Sequence, residues 1–221
     1  MKLPFLNRQR YIVLKCYSTH SGVVERAPIK AGVAESVNAL PPLDYLSRRT
    51  SFTTCWSRLM TAKNSVTIPS PATFRFSCDA SGVVSFAGAG NVVGADFDHN
   101  EDPTYGLNKD FVIAKIMMPW SVEEKTGTKF VFARHIHNKT MMNVLSGVHS
   151  FAATCDVNIF NAIAKVDHQY EVPFLTPMAS LYAMSDLPVH VENFYDKEKH
   201  EELRQKMYDP YFRAGGIKRE K

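Results

Sequence analysis

An all-β domain followed by one helix is predicted, and three observations predict it. Short runs of β-branched and aromatic residues recur with no ten-residue helical period between them. Turn-forming residues punctuate those runs at hairpin spacing. Near residue 196 the composition switches to Lys, Glu and His, which suits an exposed helix. The expected architecture is an antiparallel sandwich or jelly roll, or a double-stranded β-helix-like barrel, with an irregular N-terminal segment and a C-terminal helix. Residues 1–195 are read as a single β-rich domain, and residues 196–221 as an exposed helix and basic arm.

Residues 11–17, Tyr-Ile-Val-Leu-Lys-Cys-Tyr, predict the first buried strand. Pro28, Gly32, Pro41 and Pro42 then interrupt any long element over 18–50, leaving room for one helical turn. A short helix is expected over 52–60, with Trp56 and Met60 on one face. Phe74 and Phe76 alternate with Arg75 and Ser77, Asp79-Ala80-Ser81-Gly82 supplies a turn, and Val84 and Phe86 return: a hairpin. Residues 88–109 read as a glycine-rich, acidic surface loop. A strand over 111–118 is expected to close at Pro119-Trp120, and a second hairpin to turn at 123–127 and return through Phe130 and Phe132. Further strands are expected near 147–154, 157–166, 178–185 and 189–193. The helix should start at the N-cap Asp196, carry the favourable Glu202/Lys206 pair and stop before Asp209-Pro210.

With 45% hydrophobic and 22% charged residues, the 221-residue chain can bury a core without metal or disulfide staples. Cys16, Cys55, Cys78 and Cys155 have neither C-x-x-C nor zinc-finger spacing and read as buried thiols in a reducing compartment. Residues 1–8 contain no signal-peptide core, and no apolar run approaches the roughly 18 residues of a membrane span. A cytoplasmic protein is therefore expected. The net charge of +4 is too small and too terminal for a nucleic-acid-binding module.

Several patterns carry candidate chemistry. His135-Ile136-His137 places two imidazoles on one strand face, as a cupin-type metal site begins, and His149 or His168 would supply a third ligand. The glutamate such a site wants is missing from residues 138–142. His190-Val191-Glu192 matches the start of a facial triad, yet only His200 follows, on the charged helix. Asp96, Asp98, Asn100 and Asp102 resemble half an EF-hand, with Glu101 and Leu107 where glycine and glutamate belong. Cys155 near His149 could form a thiol–imidazole pair, although a buried strand cysteine is the commoner arrangement. No G-x-S-x-G is present, and Gly88-Ala89-Gly90 lacks the lysine and helix of a phosphate loop. No cofactor is expected and no catalytic residue is assigned. Basic residues gather at the ends, and Tyr208, Tyr211, Phe212, Arg213, Lys218 and Arg219 are the expected partner-binding residues.

The strand Tyr11–Tyr17, Thr53-Thr54-Cys55, Thr67-Ile68-Pro69-Ser70-Pro71-Ala72-Thr73-Phe74, Met118-Pro119-Trp120, Lys125-Thr126-Gly127-Thr128-Lys129-Phe130-Val131-Phe132, Ser146-Gly147-Val148 and Leu175-Thr176-Pro177-Met178-Ala179 occur in that order. Together they resemble an uncharacterised family of phage-encoded and bacterial proteins, a domain of unknown function. Where the family carries acidic residues after Gly147-Val148, this chain reads His149-Ser150-Phe151-Ala152. The resemblance implies a β-rich fold and a phage or bacterial source. The expectation is a virion component (neck, capsid-decorating or tail-associated), made in the host cytoplasm and docking to other subunits of a homo- or hetero-oligomer. The alternative is a non-haem metal-dependent oxygenase or cupin-like enzyme using His135 and His137.

Overall fold

The computed structural model describes residues 11–31, 64–81, 83–88, 92–97, 110–135, 143–165 and 168–208, without the side chains of His168 and Tyr208. The helix expected over 52–60 and the EF-hand-like residues beyond Phe97 lie outside the described residues.

In chain order the elements are β1 (Ile12–Ser18), α1 (Ser21–Arg26), β2 (Lys30–Ala31), β3 (Ser65–Pro69), β4 (Phe74–Cys78), β5 (Val84–Ala87), β6 (Gly94–Asp96) and β7 (Phe111–Glu123). There follow β8 (Lys129–Arg134), β9 (Asn143–Val144), β10 (Gly147–Ser150), β11 (Asp156–Ala164), β12 (His168–Val172), β13 (Pro177–Ala183), β14 (Val189–Tyr195) and α2 (Lys197–Tyr208). One sheet runs β14-β1-β7-β11-β9, with β6 also on β7; a second runs β10-β8-β13-β3-β2; a third runs β12-β4-β5. All pairings are antiparallel except β1 with β14, which are parallel from Ile12↔Val189 to Ser18↔Tyr195. The sheets keep their edges, so the sandwich forms and the closed barrel does not.

Alternation explains which faces meet. Ile12, Leu14 and Cys16 of β1, Ile116, Trp120 and Val122 of β7, and Val157 and Ile159 of β11 point inward from the first sheet. Val66 and Ile68 of β3, Phe130 and Phe132 of β8 and Leu181 of β13 meet them from the second. Phe74, Phe76 and Val172 bring the third sheet into the same cluster. Each such side chain contributes about 1.5–3 kcal/mol on burial.

The predicted hairpin forms: Phe76 pairs with Phe86, Ser77 with Ser85 and Cys78 with Val84. Asp79 Oδ1 accepts from the backbone N–H of Ser81 (2.9 Å) and Val83 (3.0 Å), which is the turn chemistry its sequence predicts. The second predicted hairpin is corrected. Strand β7 continues through Pro119 to Glu123, and β8 pairs with β10 and β13 in the other sheet. The turn between them is an arch from layer to layer. Glu124, only 6% exposed, holds it by accepting from the Thr126 and Thr128 amides at 2.7 and 3.1 Å and from the Thr126 hydroxyl.

Pro119 is tolerated because the ladder changes partners there. Strand β6 covers residues 115–117, β1 covers 121–123, and the β11 register shifts between Asp156 and Asn158. The six-residue helix α1 occupies the place where residues 18–50 left room for a helical turn, and strands β2, β3, β6, β9 and β12 are additions to the predicted pattern.

Candidate functional site

Helix α2 follows β14 directly, and Asp196 caps it as expected, accepting the Lys199 amide at 2.8 Å. It is not exposed all round. His200, Leu203, Arg204 and Met207 recur at i, i+3, i+4 and i+7, and this stripe faces the first sheet. His200 is buried, and its Nδ1 donates to the Tyr17 carbonyl across 3.2 Å, which fixes the ring's tautomer. Arg204 Nε lies 3.5 Å from Asp156 Oδ1 on β11, and Lys199 Nζ lies 3.8 Å from Glu123 on β7. The Thr154 hydroxyl donates to Met207 Sδ at 2.9 Å. Glu198, Glu201, Glu202 and Gln205 cover the outer face. There Lys206 and Lys199 hold the Glu202 carboxyl below its usual range.

A groove of about 300 Å³ opens beside this helix. Lys115, Met117 and Pro119 of β7 and Asp156 and Asn158 of β11 form its floor. His200 and Arg204, with Thr19 and His20, form one wall, and Val92–Gly94 forms the other. A Cβ on Gly94 would come within 2.9 Å of Met117 Cε, the movable end of that side chain. None of the groove's charged residues was assigned a role from sequence. The helical stripe ending in Met207 was the signal that α2 has an inner face.

The sequence-predicted site residues are dispersed. His149 on β10 is in register with Phe130, five residues along β8 from His135. At the rise of a strand that is a separation of about 16 Å. His137 lies outside the described residues, and His168 pairs by its backbone with Cys78 in the third sheet. His190 belongs to β14 in the first sheet, with Nε2 3.7 Å from Glu192 and its ring edge-on to Tyr11. Glu192 in turn lies 4.0 Å from Lys15. Among the described residues no three His, Cys, Asp or Glu side chains gather as a metal site would need.

His149 packs against Phe151 and Phe132, with ring centroids 4.5 and 5.9 Å away, beside a cavity of about 160 Å³. Desolvation lowers its pKa, opposed by a backbone hydrogen bond at Thr154 and the charge of Asp156. Burial instead pushes the Cys155 thiol up to about 11, the reverse of an activated nucleophile. Cys16 is raised further by full burial.

Of the expected partner-binding residues, Tyr208 ends α2, while Tyr211, Phe212, Arg213, Lys218 and Arg219 lie outside the described residues. Among the described residues no helix is long and apolar enough to cross a membrane. Compared with protein-family models, curated proteins and solved structures, the chain matches none.

Proposed function

We propose that this protein is a structural, subunit-docking component of the kind that builds a phage virion, with the segments flanking the sandwich as its contact elements. One observation carries the reading: α2 is held against the sandwich by Tyr17, Asp156 and Thr154 along its inner stripe and by Glu123 through Lys199 beside it. A helix held at four points gives the tyrosine- and arginine-bearing segment after Tyr208 a fixed origin. Tyr211, Phe212 and Arg213 are residue types that anchor interfaces, and Lys218 and Arg219 add the charge that guides encounter. The likeness to a phage and bacterial family favours a virion setting.

The test is deletion of 209–221. The shortened chain should keep its circular dichroism and thermal midpoint while losing self-association in sedimentation velocity. Unchanged association would defeat the proposal.

A further inference from the structure

We propose that a second groove, beside the last two turns of α2, receives Tyr211 and Phe212 from a second copy of this chain, in a reciprocal exchange about a two-fold axis. The inference rests on the docking reading above and names its receiving surface and its partner.

The groove, of about 380 Å³, lies between three segments that the fold brings together: the end of β7 with the arch, residues 151–155 ahead of β11, and the C-terminal half of α2. The polar side chains of its lining are already partnered. Glu123 faces Lys125 at 3.7 Å and Lys199 at 3.8 Å, Lys206 is held by Glu202, Glu124 accepts the two arch amides, and the Thr154 hydroxyl donates to Met207. What the groove offers an incoming group is therefore apolar: Phe151, Ala152, Ala153, Leu203 and Met207. Phe151 is fixed by the Phe130 and His149 rings, at centroid distances of 5.5 and 4.5 Å. An ion gains little on such a surface, whereas an aromatic side chain gains in proportion to the area it buries.

The course of the chain points to the occupant. Met207 lines the groove and Tyr208 ends α2, so the segment 209–221 starts at the groove's rim. Tyr211 and Phe212 begin three positions beyond Tyr208, within about 10 Å of extended chain. Pro210 disfavours helical backbone at Asp209. An extended, onward course leads to a neighbour rather than back onto the helix's own last turn. Because origin and groove adjoin, a two-fold axis beside this rim sets each arm at the other copy's groove, and the assembly closes. Each aromatic buries about 150–250 Å². Two pairs, with an equal area covered beneath them, give about 1,200–2,000 Å², the size of a stable interface.

The experiment is sedimentation velocity on full-length chains: wild type, an arm variant carrying Tyr211→Ser and Phe212→Ser, and a groove variant, Ala153→Arg, at an exposed lining position. Wild type should be a dimer, and each variant should weaken dimerisation by about thirtyfold or more. An equimolar mixture of the two variants should regain a dimer with one copy of each, since one supplies the groove and the other the arm. That recovery also shows that both are folded. Ala152→Arg, at the neighbouring exposed position, should behave as Ala153→Arg does. Association lost by the arm variant but kept by both groove variants, or the lack of a mixed dimer, overturns the groove assignment and leaves the docking reading standing. A wild-type oligomer larger than a dimer does the same. Association unchanged by the arm variant, or a monomeric wild type, overturns the docking reading with it.

Discussion

Replacing Asn193 by alanine should loosen one side of the sandwich. Asn193 lies on β14, the edge of the first sheet, and its side chain treats Ile29 as a partner strand would. Its Oδ1 accepts the Ile29 N–H at 3.1 Å, and its Nδ2 donates to the Ile29 carbonyl at 2.9 Å. Ile29 is 2% exposed and directly precedes β2, the edge of the second sheet, so one amide joins the two layers. Alanine leaves a buried donor and a buried acceptor unpaired, each costing about 1–3 kcal/mol. Because Asn193 is itself half-buried, water can recover part of this, and about 2–4 kcal/mol is expected. For a domain of this size that is a fall in Tm of roughly 4–16 °C. Urea unfolding should show a lower midpoint with an unchanged slope. Asn193→Asp keeps the acceptor, loses the donor and sets a carboxylate against the Ile29 carbonyl, so it should be at least as costly at neutral pH. A loss below about 0.5 kcal/mol for alanine, the scatter of ordinary surface changes, would refute the reasoning.

Three further outcomes are expected. His149 has a folded-state pKa below the usual 6.5 because it is desolvated. Above pH 6.5 both states are neutral there; as pH falls through that value the unfolded imidazole protonates first, and stability declines until the folded pKa is reached. The stability difference between wild type and His149→Phe should therefore change as the pH falls through 6.5 in urea titrations, and a pH-independent difference would contradict the assignment. Glu124→Ala should cost about 1–3 kcal/mol by orphaning the Thr126 and Thr128 amides, with faster hydrogen exchange confined to the arch. Leu175 adopts φ 64° and is 47% exposed, so Leu175→Gly relieves backbone strain while removing little burial. It should unfold within about 1 kcal/mol of wild type, against the 2 kcal/mol or more lost when a core leucine is truncated.

Local patterns with a complete physical cause were legible in the sequence. The alternation at Phe74/Phe76 and Val84/Phe86 around the Asp79 turn yields the observed hairpin, and Asp196 yields the observed cap. The pairing of Phe130 was not legible. A turn at 124–128 reads the same whether it reverses within a sheet or crosses between sheets, and only the partners of β8 decide. Pro119 marked a strand end by local rules, yet a change of ladder partners lets β7 run past it. The groove was hidden for the same reason: Lys115, Asp156 and Arg204 are far apart in sequence and share no motif. His135 and His149 failed to converge because sequence spacing on different strands carries no register.

The most direct test of the docking role is native mass spectrometry of the full chain beside the chain lacking 209–221, in volatile buffer without chelator. The account predicts a defined, metal-free oligomer for the full chain and a folded monomer for the shortened one. A monomer of the full chain carrying one tightly held transition-metal ion would contradict it.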